Sequence, residues 1–506
     1  MKKFKISIIG LCLLVIAGGC KKSFFDINKD PNRATESSMS PDLMLAGQLN
    51  AIAGRNASTW DMLNRWMGYW SASGSYSRAT VEMSYNITNT TMEGTWNNLY
   101  YVLNQLKTIE TKAAEKDWKF YQGISKILAA HEWGVLVDLY GDVPFENALD
   151  LVENIRPTYT KGEDIYKALL PMIDEGLELI KAAGTDPNIG SQDILFGGNK
   201  TNWAKFANSL KLRLLLHAYK TNVFNAQAEI GKIQAEGSGF LGNGTGAMVQ
   251  PGYTTDKPNP YYASHLHVIN GNEADNYNRA NCFALEFMKT TSDPRYTRFY
   301  RTAKALPGEY RCTEYGQNPE DDVNSDRTSG PGYGLIRVAE TDFKTPPTAA
   351  GASGASQPMW LMTSVESMFL VAEATARGWL SGDAKAAYEA AVRESFDYLK
   401  LSSAEADTYL ARSNPKIAWP TTGSLNDELA VIIWQKYYAL NGLQANETWT
   451  DFRRLGIVQP PLSLAPERGS NPIPRRILYP SGEYSYNADN VPGSVNQFTS
   501  KIFWDL

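Results

Sequence analysis

The sequence contains few residues of the kinds that ligate metals. It has four histidines and four cysteines among 506 residues. His131 and Glu132 begin an H-E-x-x-H motif, but Val135 stands at the second ligand position. His265 and His267 have no nearby third ligand, so we interpret them as solvated loop histidines. The sequence therefore predicts neither a metal site nor a bound cofactor.

Signatures of catalysis are also missing. No G-x-S-x-G nucleophile elbow occurs, and Asn199 replaces the second glycine of a phosphate-binding loop. The acidic loop at 322–326 resembles half of a calcium loop, but Arg327 replaces the turning glycine, so a structural calcium ion has no support. No pair among the 54 carboxylates is singled out for glycoside hydrolysis. We expect a binding protein without catalytic residues.

The chain lacks a strong excess of charge and, after its first twenty residues, a long apolar run. Its net charge of −5 argues against nucleic acid or an anionic membrane surface as partner. No later segment approaches 18 uninterrupted apolar residues, so no membrane-spanning helix is expected. A hydrophobic content of 43% indicates a folded globular protein.

The first twenty residues have the pattern of an export signal that ends in a cysteine. Lys2 and Lys3 precede an apolar run of about 12 residues, which is too short for a membrane span of ~20 residues. Gly18 and Gly19 then lead directly to Cys20. This order predicts a bacterial lipoprotein that is cleaved before Cys20 and acylated on it. An ordinary signal peptide that contains a cysteine is the alternative.

The predicted cleavage site divides the chain into three parts. Residues 1–19 form the signal peptide, residues 20–40 a polar lipidated tether, and residues 41–506 a helical body. Within the body, glycine, proline, asparagine and tyrosine cluster from about residue 237 to 358. We interpret this stretch as a loop-rich insertion, where binding function usually lies.

Apolar residues recur at helical spacing through most of the body. Trp96, Leu99 and Leu103 define one such face. The same period predicts further helices over 118–139, 165–180, 200–220, 363–378, 384–400 and 426–440. The helices predicted over 363–378 and 384–400 are joined by a short turn, and together they have the size of a tetratricopeptide unit. The fold class is therefore all-α dominated, with tetratricopeptide-like helical pairs as scaffold, long irregular loops and few short strands.

Two cysteines remain in the body once the signal is removed and Cys20 is acylated. An exported chain permits Cys282 and Cys312 to pair. Spacing alone does not fix their geometry, so two free thiols are the alternative.

Aromatic residues are abundant, with 13 Trp and 27 Tyr. A sugar-binding site needs aromatic platforms together with planar polar side chains, and two segments supply both. Trp60 and Trp66 repeat with Trp70 mostly at helical spacing, so part of this set is expected in the core. The candidate ligand-binding residues are Trp70, Tyr76, Arg78, Tyr261, Tyr262, Asn276 and Tyr277.

Six segments in order resemble one family. FFDINKDPN follows Cys20, LVDLYGDVPF lies near Asp138, and FGGNKTNWAKFANSLKLRLLLH ends at His217. Further along come QPMWLMTSVESMFLVAEATARG, IIWQKYYAL with NETWTDFRRLG, and NPIPRRILYPSGEYSYNADN. The chain resembles the SusD/RagB family of outer-membrane nutrient-binding lipoproteins, specifically the SusD-like group with a DINxxPN start.

The resemblance implies an α-rich fold with four tetratricopeptide-like helical pairs. It also implies capture of an oligosaccharide or, less often, a peptide, as a partner of a SusC-like TonB-dependent transporter at the cell surface. Lys21 and Lys22 follow the cysteine where surface-exported members tend to carry acidic residues, so anchoring on the periplasmic side of the outer membrane is the alternative to the cell surface. A surface glycan-processing enzyme and a helical-repeat adaptor for protein partners are the alternative functions.

One family segment contains a cluster that resembles a site. Trp449, Asp451, Arg453 and Arg454 bring an aromatic ring, a carboxylate and two guanidinium groups together. Arginines that are partly buried need such partners, so we interpret the cluster as a structural network rather than a ligand site.

Overall fold

Helices form most of the first half of the body. The computed structural model describes residues 39–150, 152–338 and 354–505; the predicted signal peptide and Cys20 lie outside the described residues. The first helix begins at a proline, which fits the first helical position because it has no N–H to donate. The helices of this half are α1 (Pro41–Arg55), α2 (Asp61–Trp66), α3 (Thr80–Met83), α4 (Glu93–Ala114), α5 (Lys119–Tyr140), α6 (Gly162–Ala182), α7 (Ile189–Gln192), α8 (Lys200–His217) and α9 (Ala226–Glu236).

The second half contains fewer long helices and more irregular chain. One of its longer helices, α12 (Ser364–Ala376), packs against both α13 (Ala384–Tyr398) and α15 (Leu425–Ala439). Its helices are α10 (Cys282–Thr290), α11 (Tyr296–Phe299), α12 (Ser364–Ala376), α13 (Ala384–Tyr398), α14 (Ser403–Leu410), α15 (Leu425–Ala439), α16 (Ala445–Leu455) and α17 (Ser481–Tyr486).

The strands are short and form three separate antiparallel pairs among the described residues. The pairs are β1 (Trp70–Ala72) with β5 (Asn278–Ala280), β2 (Val143–Pro144) with β3 (Tyr159–Thr160), and β4 (Ala247–Val249) with β6 (Met359–Met362). The β1–β5 and β4–β6 pairs join segments that are distant along the chain, whereas the β2–β3 pair lies within the connection between α5 and α6.

Local signals fixed the helix ends well. Gly378 takes a left-handed φ of +70° just after α12, and the Asp383 carboxylate accepts backbone N–H groups at the start of α13. The helix predicted over 200–220 is shorter than expected, because α8 ends at His217 and the chain turns there.

Consecutive helices pack closely where small residues face each other. A Cβ atom on Gly123 of α5 would lie 2.4 Å from the carbonyl oxygen of Gly176 in α6. Gly176 faces the Gly123 carbonyl in the same way, at 2.8 Å. The two backbones therefore approach at a distance that only glycine permits.

The cluster around Trp449 lies in the core, as interpreted from the sequence. Arg454 donates to both carboxylate oxygens of Glu373 at 2.7 and 2.5 Å, and its Nε donates to Asp451 at 2.8 Å. Lys436 contacts the other oxygen of Asp451 at 2.9 Å. All four side chains are buried, so this network ties α12, α15 and α16 together and offers no surface to a ligand.

Within the described ranges, no helix combines the length and the apolarity needed to cross a membrane.

Candidate functional site

One strand pair brings the two aromatic segments of the sequence together. In the β1–β5 pair, Trp70 faces Ala280 and Ala72 faces Asn278. Just beyond it, the Ser73 N–H donates to the Tyr277 carbonyl at 2.8 Å. The chain after β1 and the chain before β5 therefore emerge side by side on the surface.

Two tyrosine rings meet at this point. The ring centroids of Tyr76 and Tyr277 are 5.4 Å apart, with the ring planes at 70° to each other. Tyr76 is 44% exposed, and Tyr277 is half-buried, with its ring 5.2 Å from the Arg65 guanidinium. Burial raises the pKa of Tyr277, so its hydroxyl stays protonated and can donate at neutral pH.

Polar groups flank the tyrosines. Asn276 is exposed, and its carbonyl accepts a hydrogen bond from the Ser325 hydroxyl at 2.8 Å. Ser325 also contacts the Ser75 hydroxyl at 2.9 Å. We name the group of Tyr76, Arg78, Asn276, Tyr277 and Ser325 the Tyr76–Tyr277 surface.

Arg78 lies at the edge of this surface. Its guanidinium donates to the Asn318 side chain and, at 3.0 Å, to Glu467. A cleft of about 410 Å³ opens beside it, and Met62, Val81 and Ile87 contribute apolar lining. The Arg78 guanidinium and the apolar cleft are thus adjacent, and Arg78 follows Tyr76 by two residues in the chain.

A glycine allows the loop before Tyr76 to reach its neighbour. The Gly74 N–H donates to the Val323 carbonyl at 2.8 Å. A Cβ on Gly74 would lie 2.7 Å from the Glu320 carbonyl oxygen and 2.8 Å from a Val323 methyl. A side chain at this position would push apart the two loops that form the surface.

Three of the candidate residues do not reach the surface. Trp70, Tyr261 and Tyr262 are at most 2% exposed and belong to the hydrophobic core. Trp70 packs edge-on against His265, and the Tyr261 hydroxyl donates to the Gly332 carbonyl at 3.0 Å. The interpretation of these three as ligand contacts is wrong, because their apolar faces are already covered by protein.

The interpretation of the two loop histidines as solvated is also wrong. His265 and His267 are 1% and 6% exposed. His265 Nδ1 lies 2.7 Å from Asp275, and its Nε2 lies 2.6 Å from the Ala57 carbonyl oxygen. Burial alone would lower the pKa of His265, but Asp61 and Asp275 raise it to about 10, so the ring is cationic at neutral pH.

Sequence reasoning missed the residues that support the surface. Ser325 within the surface, and Arg65 and Asn318 beside it, hold its other members in place, yet the three are spread over about half of the chain. No spacing pattern links them, because the contacts arise only from the folded arrangement. In the part of the chain that the structure describes, no group of three or more His, Cys, Asp or Glu side chains is placed to hold a metal ion.

The two body cysteines form a disulfide. Cys282 at the start of α10 is bonded to Cys312, with a separation of 30 residues along the chain. Beside it, the Thr313 N–H donates to the Ala280 carbonyl at 3.0 Å, so the loop that carries Ser325 is tied to β5. Of the two alternatives left open by the sequence, the paired one is present.

The family assignment follows from comparison with known proteins. The SusD-like_2 family, described as starch-binding and associating with the outer membrane, matches residues 31–480. No protein of curated function matches the chain. The prediction of a binding protein rather than an enzyme agrees with the family's description.

Solved structures show the same fold at low sequence identity. A SusD homologue from Bacteroides uniformis is 23% identical with a TM-score of 0.73, covering 92% of this chain and 99% of its own. A SusD homologue from Bacteroides fragilis is 20% identical with a TM-score of 0.73, covering 92% and 100%. A chitin-binding SusD homologue from Flavobacterium johnsoniae is 21% identical with a TM-score of 0.71, covering 91% and 98%.

These structures confirm the predicted helical fold class, and the match over most of the sequence confirms the resemblance. The chain belongs to the SusD/RagB family of outer-membrane carbohydrate-binding proteins.

Proposed function

We propose that this protein is a lipid-anchored solute-binding protein of the cell surface. It captures an oligosaccharide, or a peptide, and delivers it to a SusC-like TonB-dependent transporter in the outer membrane. The family membership supports the carbohydrate and the membrane. The signal-like first twenty residues support the anchor on Cys20.

The observation that carries the proposal is the contact between the exposed Tyr76 ring and the half-buried Tyr277 ring. Sugars present a flat C–H face to an aromatic ring and hydroxyls to planar polar groups. Tyr76 and Tyr277 offer ring surface, while Arg78 and Asn276 offer donors and acceptors within the same surface. We therefore propose Tyr76, Arg78, Asn276 and Tyr277 as the ligand-binding residues.

The choice of ligand panel follows from the relatives. The family is described as starch-binding, and one solved homologue is described as chitin-binding. Maltoheptaose and chitohexaose are therefore the first glycan probes, with a mixed peptide pool to cover the second class of nutrient.

Calorimetric titration of the protein with these probes tests the proposal. Tyr76→Ala and Tyr277→Ala are each expected to weaken binding of the best probe about tenfold or more, because truncation of an aromatic anchor at the centre of a binding surface costs ~2 kcal/mol or more. Tyr101→Ala is the matched control, since Tyr101 is a 57% exposed tyrosine on α4 that contributes nothing to the surface.

Two outcomes would contradict the proposal. The first is the absence of heat with every glycan and peptide probe. The second is release of shorter glycans during incubation, which would favour the alternative of a surface glycan-processing enzyme. An equal loss of affinity in Tyr101→Ala would show that the Tyr76–Tyr277 surface is not the site.

A further inference from the structure

A buried polar chain lies directly beneath the Tyr76–Tyr277 surface. It begins at His265, whose Nδ1 donates to Asp275 at 2.7 Å. The Asn278 amide donates to the same Asp275 oxygen at 2.8 Å, and its own oxygen accepts from Arg65 at 2.5 Å. Arg65 in turn donates to both oxygens of Glu82 at 2.6 Å. The chain therefore alternates cation, anion, amide, cation and anion.

This chain joins segments that are distant in sequence. Arg65 and Asn278 are 213 residues apart, and the Tyr315 hydroxyl donates to Glu82 at 2.9 Å across 233 residues. All members except Glu82 are well covered by protein. A buried network whose members are all paired holds its segments in one arrangement.

Asp275 is the member that shapes the turn. Its second oxygen accepts the backbone N–H groups of both Tyr277 and Asn278 at 2.9 Å. This is an Asx-turn, in which the carboxylate replaces a backbone acceptor and sets the direction of the next residues. Burial alone would raise the pKa of Asp275, but His265 lowers it to about 2, so the carboxylate stays charged at neutral pH.

The ring of Tyr277 is fixed from below by the same chain. The Arg65 guanidinium lies 5.2 Å from the ring centroid and is itself immobilised by Glu82 and Asn278. Both the backbone and the side chain of Tyr277 are therefore oriented by buried partners rather than by solvent.

We propose that Asp275 is the positioning residue of the ligand surface. It orients Tyr277 and Asn276 through the turn they occupy and through the network of His265, Asn278 and Arg65, without touching the ligand. The role in binding rests on the function proposed above, whereas the ordering of the turn does not. Because the turn is already ordered before binding, less conformational entropy is lost from these side chains when the ligand binds.

The test combines amide hydrogen exchange with calorimetry on the full chain. In Asp275→Ala, exchange at the amides of Tyr277 and Asn278 is expected to rise about tenfold or more while the amides of α8 keep their protection. Affinity for the best of maltoheptaose and chitohexaose is expected to fall about tenfold, as when one or two side chains must be ordered on binding.

A second buried carboxylate provides the matched control. Asp193 is 1% exposed and accepts N–H groups from Leu195, Phe196 and Gly198 in a turn before α8. Asp193→Ala removes an equivalent turn carboxylate at another place in the fold. It is expected to lower the free energy of unfolding but to leave both the Tyr277 amide exchange and the affinity unchanged.

The proposed function and the positioning role of Asp275 can be contradicted independently. If the wild type binds no probe, the proposed function fails, and the exchange rates of Tyr277 and Asn278 still decide the positioning role. Unchanged exchange in Asp275→Ala, or an equal loss of affinity in Asp193→Ala, would overturn that role. Should Asp275→Ala not fold, Asn278→Ala is the second variant, because it removes the link between Asp275 and Arg65. It is also expected to weaken binding. Full retention of affinity in Asn278→Ala would overturn the positioning role.

Discussion

The buried side chain of His217 lies between two carboxylates. His217 is 1% exposed, and its two ring nitrogens lie 3.1 Å from Asp138 and 3.0 Å from Glu447. Burial alone would lower the pKa of His217, but Glu447 and Asp138 raise it to about 9. The histidine is therefore a buried cation at neutral pH.

This histidine gives stability a defined dependence on pH. A group whose pKa is higher in the folded than in the unfolded state stabilises fully below ~6.5 and loses that contribution as pH rises towards 9. Between pH 7 and pH 9 the free energy of unfolding is expected to drop by about 2 kcal/mol through His217. Urea unfolding at both pH values, compared between wild type and His217→Gln, measures this difference.

The other histidines do not obscure the comparison. The pKa values of His131 and His267 are lowered, chiefly by burial, so both rings are mostly neutral above pH 7 in the folded and the unfolded state and contribute little to the change between pH 7 and pH 9. His265 contributes equally to wild type and variant because it is unchanged. An identical pH dependence in His217→Gln would contradict the assignment.

Residue types alone could not identify the proposed ligand surface. Trp70, Tyr76, Tyr261 and Tyr277 are all aromatic residues in polar sequence surroundings, yet two are core and two reach solvent. Trp70 lies in β1 and is buried, whereas Tyr76 lies beyond this strand, and a three-residue strand is too short to show a period of two. The Arg454 network was predictable because arginine and carboxylate clusters next to tryptophan need burial partners.

At the scale of elements, the contact of α5 with α6 depends on two glycines. Gly123 and Gly176 face each other's carbonyl oxygens. Replacement of Gly123 by alanine is expected to lower the free energy of unfolding by about 1 to 3 kcal/mol, because the two helix backbones must move apart. Thermal or urea unfolding measures the change.

A second helical glycine is the matched control. Gly47 lies within α1, and a Cβ there would meet no atom within 4 Å. Gly47→Ala is expected to leave stability unchanged or to raise it by up to about 1 kcal/mol, the difference in helix propensity. A similar effect of both substitutions would show that helix propensity, and not the close approach, governs Gly123.

The helices could be predicted because their signals are local. The apolar period, the Asp383 cap and the left-handed Gly378 fix their faces and ends. The strand pairs could not, since each strand has only two to four residues and its partner lies beyond a loop or a long stretch of intervening chain. Long-range pairing leaves no periodic trace in so short a segment.

At the scale of the whole molecule, the proposed anchor decides where the protein acts. With Cys20 acylated, the body is expected in the outer-membrane fraction and to co-purify with a TonB-dependent barrel after detergent extraction. Cys20→Ala is expected to move the protein to the soluble fraction and to abolish labelling by radioactive palmitate. Fractionation with metabolic labelling measures both.

Other results would redirect the proposal. A Cys20→Ala protein that stays with the membrane would contradict lipid anchoring. Recovery of a complex that contains no barrel would favour the alternative of a helical-repeat adaptor.

The sequence separation at the Tyr76–Tyr277 surface has a kinetic consequence. Ser75 and Ser325, which join the two loops there, are 250 residues apart. Contacts between such distant segments form slowly, because the intervening chain loses conformational entropy on closing into a loop before the contacts stabilise it. Helical hairpins such as α4–α5 form from segments that are neighbours in sequence. We therefore expect the helical scaffold to form first and the proposed ligand surface to be completed only in the last phase of folding.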